Sequence, residues 1–218
     1  TEHLQIPINE QGAVSGDLAF WSEVVMILLA GVMGAWSDTM GRRLVFVFGL
    51  AAVALSYALY PLATSYEELL SYRLIYAVGM AAIGAMTIAI MAEYPVNQSR
   101  GKLSASVGVL STLGVMFVVA VLAPLPARFV VGGATAIEAG RYTYWLTAGI
   151  ALAGVLIAWL GLSKLKTARN TALSLMQRLR IGLTAGRNPR IALSYGAAFI
   201  GRTDLVVVVI FLSLWITH

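Results

Sequence analysis

Two charged residues, Arg202 and Asp204, lie within the apolar stretch Ile191–Trp215. A charge in the middle of a membrane segment costs about 2.5–3.5 kcal/mol on insertion scales, so such residues are functional candidates by default. The guanidinium of Arg202 could hold a solute anion or hydroxyl, and the carboxylate of Asp204 could carry a proton. Two residues apart, they lie on different faces of a helix and each needs its own partner or cavity. The alternative is a set of buried structural charges.

Arg73 and Glu23 are two further charged candidates, each near the end of an apolar segment. Arg73 could face a solute cavity, or its long side chain could reach the lipid headgroups. Glu23 could line an outer vestibule or be an interfacial acid beside Trp21. For both residues the two interpretations stay open, and both residues are candidates for solute binding or proton coupling.

A short charged connection, residues 34–43, joins the first two long apolar segments and contains Asp38, Arg42 and Arg43. It leaves about six residues between one helix and the next, which is typical of a tight helical hairpin. Asp38 is expected to cap the second helix and to pair with an arginine. Gly41 is expected to permit the turn.

The composition excludes a soluble protein. The chain is 59% hydrophobic and 11% charged, with a mean hydropathy of +0.83, whereas soluble domains carry roughly 25% charged residues. There is no cysteine, and the two histidines, His3 and His218, lie at the ends. We therefore expect no metal centre, no cofactor and no enzyme activity.

Six segments are long and apolar enough to cross a membrane, which needs about 20 residues of helix. They lack the alternation of a barrel strand, so we predict an all-α polytopic membrane helix bundle. The predicted spans are Phe20–Ser37, Leu44–Ala63, Leu74–Ala92, Leu103–Leu122, Tyr144–Leu162 and Ile191–Trp215. Small residues predict close helix contacts; they are Gly31, Gly34, Ala77, Ala81, Gly84 and Ala85.

The basic residues predict the orientation. One side of the membrane receives Arg42, Arg43, Arg100, Lys102, Lys164, Lys166, Arg169, Arg178, Arg180, Arg187 and Arg190. The other side receives Arg73, Arg128 and Arg141 together with Glu2, Glu10, Glu67, Glu68 and Glu138. The positive-inside rule makes the first side cytoplasmic and places both ends of the chain outside, in a bacterial inner membrane. This bias also accounts for the net charge of +5 without nucleic-acid binding.

Residues 163–190 form a basic connection whose apolar residues recur at spacings of three and four. We predict an amphipathic helix lying on the cytoplasmic membrane surface and attracted by anionic lipid. The alternative is a calmodulin-like or nucleic-acid-binding segment.

The hairpin residues Gly34, Asp38, Gly41, Arg42 and Arg43 resemble a signature of the major facilitator superfamily, found between its second and third helices. Thr39 departs from it, because the family usually has a basic residue there. The resemblance implies a gating hairpin that holds the inner side closed.

Two further segments resemble the same family. Arg73-Leu-Ile-Tyr-Ala-Val-Gly79 resembles the Arg-x-x-x-Gly-x-Gly pattern near the start of the fourth helix, with Ala77 in place of the first glycine. The loop that follows, with Glu93, Arg100 and Gly101, resembles the acid-proline-arginine-glycine loop after that helix. The resemblance assigns these three residues to the gating motif.

The resemblance implies that the six spans are family helices two to seven. Residues 1–162 would form an N-terminal bundle that lacks its first helix, 163–190 the cytoplasmic linker, and 191–218 the first helix of a C-terminal bundle. The chain is then expected to be a piece of a longer protein or a truncated homologue. The implied function is secondary active transport of a small polar solute by alternating access, as a proton-coupled symporter. The alternative is a non-transporting membrane subunit that assembles with a partner.

Overall fold

The computed structural model describes residues 7–163, 175–194 and 196–197. Long helices dominate this part of the chain. They are α1 (Ile8–Met40), α2 (Arg42–Leu59), α3 (Tyr66–Glu93), α4 (Arg100–Phe117), α5 (Leu125–Val131), α6 (Ala136–Gly161) and α7 (Leu175–Ala185). Short 3₁₀ turns follow α2 (Tyr60–Leu62) and α3 (Asn97–Ser99), and a π-helical turn (Val118–Leu122) follows α4. Residues 189–194 are also helical.

Five helical stretches in the described residues are long and apolar enough to cross a membrane: Glu10–Met40, Arg42–Leu62, Tyr66–Glu93, Gly101–Val131 and Ala136–Gly161. Each contains most or all of one of the first five predicted spans, so the all-α membrane bundle is confirmed. The sixth predicted span, Ile191–Trp215, lies largely outside the described residues. α7 falls inside the predicted linker, and its position on a membrane surface stays a prediction.

Capping residues start two of the spanning helices about two turns earlier than hydropathy predicts. The hydroxyl of Ser65 accepts a hydrogen bond from the Glu68 amide at the start of α3. At the start of α6, Thr135 and Glu138 form a complete capping box. Such boxes satisfy amides that the first helical turn leaves without partners. The polar first turns of α3 and α6 are therefore helical although they lie beyond the apolar segments.

Proline explains the change of helix type at the end of α4. The amide of Ala123 donates to the carbonyl of Val118, five residues back, at 2.8 Å. Pro124 has no amide hydrogen and its ring clashes with the carbonyl four residues before it, so the regular helical pattern cannot continue there. The chain turns and resumes as α5.

The core lies between α1, α2 and α3. Met33, Val45, Ala81, Ala82 and Met86 form its buried cluster. α2 packs on one side against α3 and on the other against α6. Many large apolar side chains on the outer faces are exposed, notably along α4, as expected for helices that meet lipid or other helices rather than water.

The tightest helix contact joins Gly49 of α2 to Gly79 of α3. A Cβ atom built on Gly79 would lie 2.7 Å from the Gly49 carbonyl oxygen and 2.8 Å from Cγ2 of Val53. A Cβ built on Gly49 would lie 2.9 Å from the Gly79 carbonyl oxygen. Glycine at both positions lets the two backbones touch, as small residues do in membrane bundles.

Candidate functional site

The α1–α2 hairpin turns on one residue. α1 ends at Met40, α2 begins at Arg42, and Gly41 between them has φ of 94° and ψ of 148°. The connection is therefore shorter than the six residues that separate the predicted spans. The hydroxyls of Ser37 and Thr39 donate to the carbonyls three residues before them, at 2.6 and 2.7 Å. These bonds let polar residues remain in the last turn of α1.

Gly41→Ala is expected to destabilise the protein by about 1–3 kcal/mol, because its backbone conformation is open almost only to glycine. The matched control is Gly34→Ala, in the same hairpin motif but inside α1. A Cβ on Gly34 meets no described atom within 4 Å, and alanine favours a helix over glycine by roughly 0.5–1 kcal/mol. Equilibrium unfolding of the detergent-solubilised protein measures both changes. Equal effects of the two substitutions would contradict the special role of the turn.

Arg42 is the centre of a charged cluster that joins three helices. Its Nη1 lies 2.8 Å from Oδ1 of Asp38 in α1. Its Nε and Nη2 donate to the two carboxylate oxygens of Glu93 at the end of α3, at 3.0 and 2.6 Å. Nη1 also donates to the Ser37 hydroxyl and, at 3.3 Å, to the Gly34 carbonyl. We call Asp38, Arg42, Glu93, Ser37 and the Gly34 carbonyl the Arg42 cluster.

The geometry of the Arg42 cluster makes it a strong contact between α1, α2 and α3. A planar guanidinium that grips a carboxylate with two parallel N–H donors forms one of the stronger charge-assisted pairs in proteins. The Arg42 side chain is only 11% exposed, while that of Glu93 is 39% exposed. The arginine is therefore largely removed from solvent, and it depends on its protein acceptors more than Glu93 depends on it.

The structure corrects the expected role of Asp38. It does not cap α2, whose first residue follows Gly41 without a side-chain cap. Asp38 lies in the last turn of α1 because that helix continues three residues further than predicted, and its carboxylate meets Arg42 across the turn. The expected pairing with an arginine is present.

Arg43 points to a different helix from Arg42. Its Nη2 donates to the backbone carbonyl of Trp159 in α6. Its guanidinium carbon lies 4.6 Å from the centre of the Trp159 ring, in the arrangement of a cation–π contact. The two adjacent arginines therefore join α2 to different neighbours.

Arg73 lies near the other end of α3, about 30 Å from Glu93 at 1.5 Å per residue. Its Nε donates to the buried hydroxyl of Ser22 in α1 at 3.2 Å, and its guanidinium stands 5.0 Å over the Tyr76 ring. Tyr57 contacts Tyr76 with ring centres 5.8 Å apart, and Tyr60 contacts Tyr144 at 5.6 Å. Arg73 thus sits beside a tyrosine cluster shared by α2, α3 and α6.

The other predicted site residues are distributed as follows. Glu23 is half-buried in α1, next to Ser22. Gly101 lies in the first turn of α4, where a Cβ would meet no described atom within 4 Å. Arg100 begins α4, but its side chain lies outside the described part of the structure. Arg202 and Asp204 also lie outside it, so their roles stay predictions.

Several partners of the charged residues were not singled out from the sequence. Ser37 and Ser22, which bind Arg42 and Arg73, are two of the four buried polar or charged residues in the described part. In the sequence each appears only as a serine inside an apolar helix. The hydroxyl of such a serine ordinarily donates to a backbone carbonyl of its own helix, so its presence does not indicate a partner on another helix. The tyrosine cluster has no local sequence signal, because its members come from separate helices.

These features define a polytopic membrane protein with a charged hairpin between its first and second described spans and a glycine contact between the second and third. The chain matches the family model of the Major Facilitator Superfamily over residues 1–217. It therefore belongs to the major facilitator superfamily, a family of membrane transporters. This confirms the family predicted from the hairpin.

One curated relative is longer than this chain. The chain is 26% identical over 224 residues to the magnetosome protein MamH of Paramagnetospirillum magneticum. The aligned region covers 99% of this chain and 49% of that protein, so the chain spans about half the length of this relative. No solved structure matches the chain significantly.

Proposed function

We propose that the protein is a secondary active transporter that moves a small polar solute by alternating access, with protons as the coupling ion. Family membership supports the general class, and the observation that carries the proposal is the Arg42 cluster. Carriers of this kind open one end of a helix bundle at a time around a site near the membrane midplane. A cluster that ties the ends of α1, α2 and α3 together is suited to hold one end in a fixed geometry.

We assign each group a role according to its expected depth in the membrane. The Arg42 cluster, with Arg43, Arg100 and Gly101, acts at the end that the basic residues make cytoplasmic. Arg73 and Glu23 act near the opposite end, where solute would enter or leave. Arg202 and Asp204 act near the midplane, Arg202 on the solute and Asp204 as the proton carrier.

The proposed setting is a bacterial inner membrane, with both ends of this chain on the outer side. The partners are the solute, protons, the lipid bilayer and the remaining helices of the carrier. No nucleic acid is involved. The exposed apolar length of α4 is the surface that lipid or those further helices would cover.

The test is uptake by the full-length protein in proteoliposomes. A panel of radiolabelled sugars, amino acids, carboxylates and inorganic anions is offered with an inward proton gradient. We expect at least one class to accumulate in a gradient-dependent way. Asp204→Asn should abolish accumulation against a gradient and Arg202→Ala should abolish uptake, while the neighbouring control Thr203→Ser keeps it.

The possible outcomes separate the candidates. Full activity in both variants would remove Arg202 and Asp204 from the mechanism. No uptake of any panel member by a folded, monodisperse protein would favour the alternative, a membrane subunit that uses the fold to assemble with a partner.

A further inference from the structure

Three contacts at the Arg42 end of the bundle form a closed circuit between α2, α3 and α6. Arg42 of α2 binds Glu93, the last residue of α3. The next residue, Tyr94, donates its hydroxyl to the carbonyl of Ser163, just beyond α6, at 2.9 Å. Arg43 then returns from α2 to Trp159 in the last turn of α6. Glu93 and Tyr94 are adjacent in the chain, as are Arg42 and Arg43, and Trp159 lies four residues before Ser163, so the circuit needs no other link.

The acceptor of Arg43 is a carbonyl that a helix leaves without a partner. Trp159 lies two residues before the end of α6 at Gly161, and the last carbonyls of a helix have no amide donor within that helix. A cation at this position also meets the negative end of the helix dipole. Arg43 is therefore a side-chain cap supplied to α6 by a neighbouring helix.

The same pair of helices is joined in the same way at the other end. The indole Nε1 of Trp145, early in α6, donates to the carbonyl of Ala58 in the last turn of α2 at 3.3 Å. Each of these two antiparallel helices thus covers the C-terminal carbonyls of the other. Two such contacts, at opposite ends of one interface, restrict sliding and rotation more than either alone.

We infer that Arg43 and Tyr94 are positioning residues that hold the end of α6 in place, Arg43 on the α1–α2 hairpin and Tyr94 on the end of α3. α2 and α6 then move as one body, so a displacement of the hairpin reaches the end of α6. This rests on the proposed transport function, in which the hairpin moves during gating. Arg42 ties the hairpin to α3, and Arg43 ties it to α6.

Hydrogen–deuterium exchange of the full-length protein in lipid nanodiscs tests the inference. The amide of Leu162, which donates to the Ala158 carbonyl at 3.1 Å, reports on the last turn of α6. Arg43→Gln is expected to speed exchange over residues 158–163 about tenfold, because it removes a charge-assisted bond and the ring contact. Tyr94→Phe, which removes the hydrogen bond to the Ser163 carbonyl, should also speed exchange at the end of this range.

Two further variants separate positioning from a general loss of structure. Arg43→Lys should restore slow exchange, because lysine can also donate to a carbonyl and place its ammonium group over the indole ring, and the Arg43 Nε that it lacks makes no hydrogen bond in the described residues. Glu93→Gln should also speed exchange at 158–163, although the Glu93 carboxylate lies at the end of α3 and binds Arg42, because it opens the circuit at its first contact. The control Glu138→Ala should affect only the start of α6.

The inference fails if Arg43→Gln leaves the exchange rate at 158–163 unchanged. It also fails if Arg43→Lys raises that rate as much as Arg43→Gln does. Should Arg43→Gln not fold, Trp159→Leu removes the ring contact alone, and its unchanged exchange would equally count against the inference. None of these measurements uses a solute. An inactive protein in the uptake panel would therefore defeat the transport proposal and leave this result standing.

Discussion

Arg42→Gln is expected to destabilise the protein by about 3 kcal/mol. The substitution leaves the carboxylates of Asp38 and Glu93 without their shared cation and removes the donor to the Gly34 carbonyl and the Ser37 hydroxyl. Glu93→Gln is expected to cost only about 1 kcal/mol, because Glu93 is partly exposed and Arg42 keeps Asp38. The asymmetry follows from the number of partners: the loss of Arg42 affects four acceptors, whereas the loss of the Glu93 carboxylate leaves Arg42 its other three.

A double-mutant cycle measures the tie itself. The double variant Arg42→Gln, Glu93→Gln should lose less than the sum of the two single losses, with a coupling of about 1–2 kcal/mol. Arg42→Lys should be intermediate, since an ammonium group cannot grip a carboxylate with two parallel donors. The measurement is equilibrium unfolding of the detergent-solubilised full-length protein.

The matched control is Arg187→Gln, an exposed arginine two residues beyond α7. It should change the free energy of unfolding by less than about 0.5 kcal/mol. Additive losses at Arg42 and Glu93 would show that the contact between them contributes nothing specific. A loss at Arg187 equal to that at Arg42 would show that only the removal of positive charge matters.

Hydropathy was sufficient for the spans but not for their ends. Leu74 and Tyr144 were expected to begin spans that begin at Tyr66 and Ala136, because a window of apolar residues cannot register a capped polar turn. The sequences Ser65-x-x-Glu68 and Thr135-x-x-Glu138 carry that information, and a search for capping boxes would have recovered both starts.

The Arg42 cluster was predictable in part. Asp38 and Arg42 are four apart, and the expected Asp–Arg pair follows from proximity once the turn is known to be one residue. Glu93 lies 51 residues from Arg42, and no local pattern relates them. The family resemblance placed both in the gating motif, yet only the packing of α1, α2 and α3 brings the guanidinium to the carboxylate.

Small residues indicated that helices approach closely, but not which pairs. Ala77 and Ala81 are buried as expected, whereas a Cβ on Gly84 would meet no described atom within 4 Å. The closest approach uses Gly49, which drew no attention in its own span. A small residue creates a contact only when another backbone faces it, and that depends on the rotation of both helices.

Gly79→Leu is expected to prevent folding, and Gly79→Ala to cost about 1–3 kcal/mol. The added Cβ would meet the Gly49 carbonyl oxygen at 2.7 Å and the Val53 amide nitrogen at 3.0 Å. These are backbone atoms of α2, which cannot rotate away as a side chain would. α2 and α3 must then move apart, and the core cluster that contains Val45 and Ala82 loses packing contacts.

The matched control lies five residues further along the same helix. Gly84→Ala adds the same methyl group to α3 in open space, so it should be neutral or slightly stabilising through helix propensity. Equilibrium unfolding in detergent and the yield of monodisperse protein compare the variants. Gly49→Ala should resemble Gly79→Ala, and the two together should cost less than their sum, because the first substitution already separates the helices. If Gly79→Ala and Gly84→Ala behave alike, the close contact does not hold in the membrane. If they differ as expected, the glycine that ends the Arg73–Gly79 pattern has a packing role, and within that pattern only Arg73 remains a candidate for contact with solute.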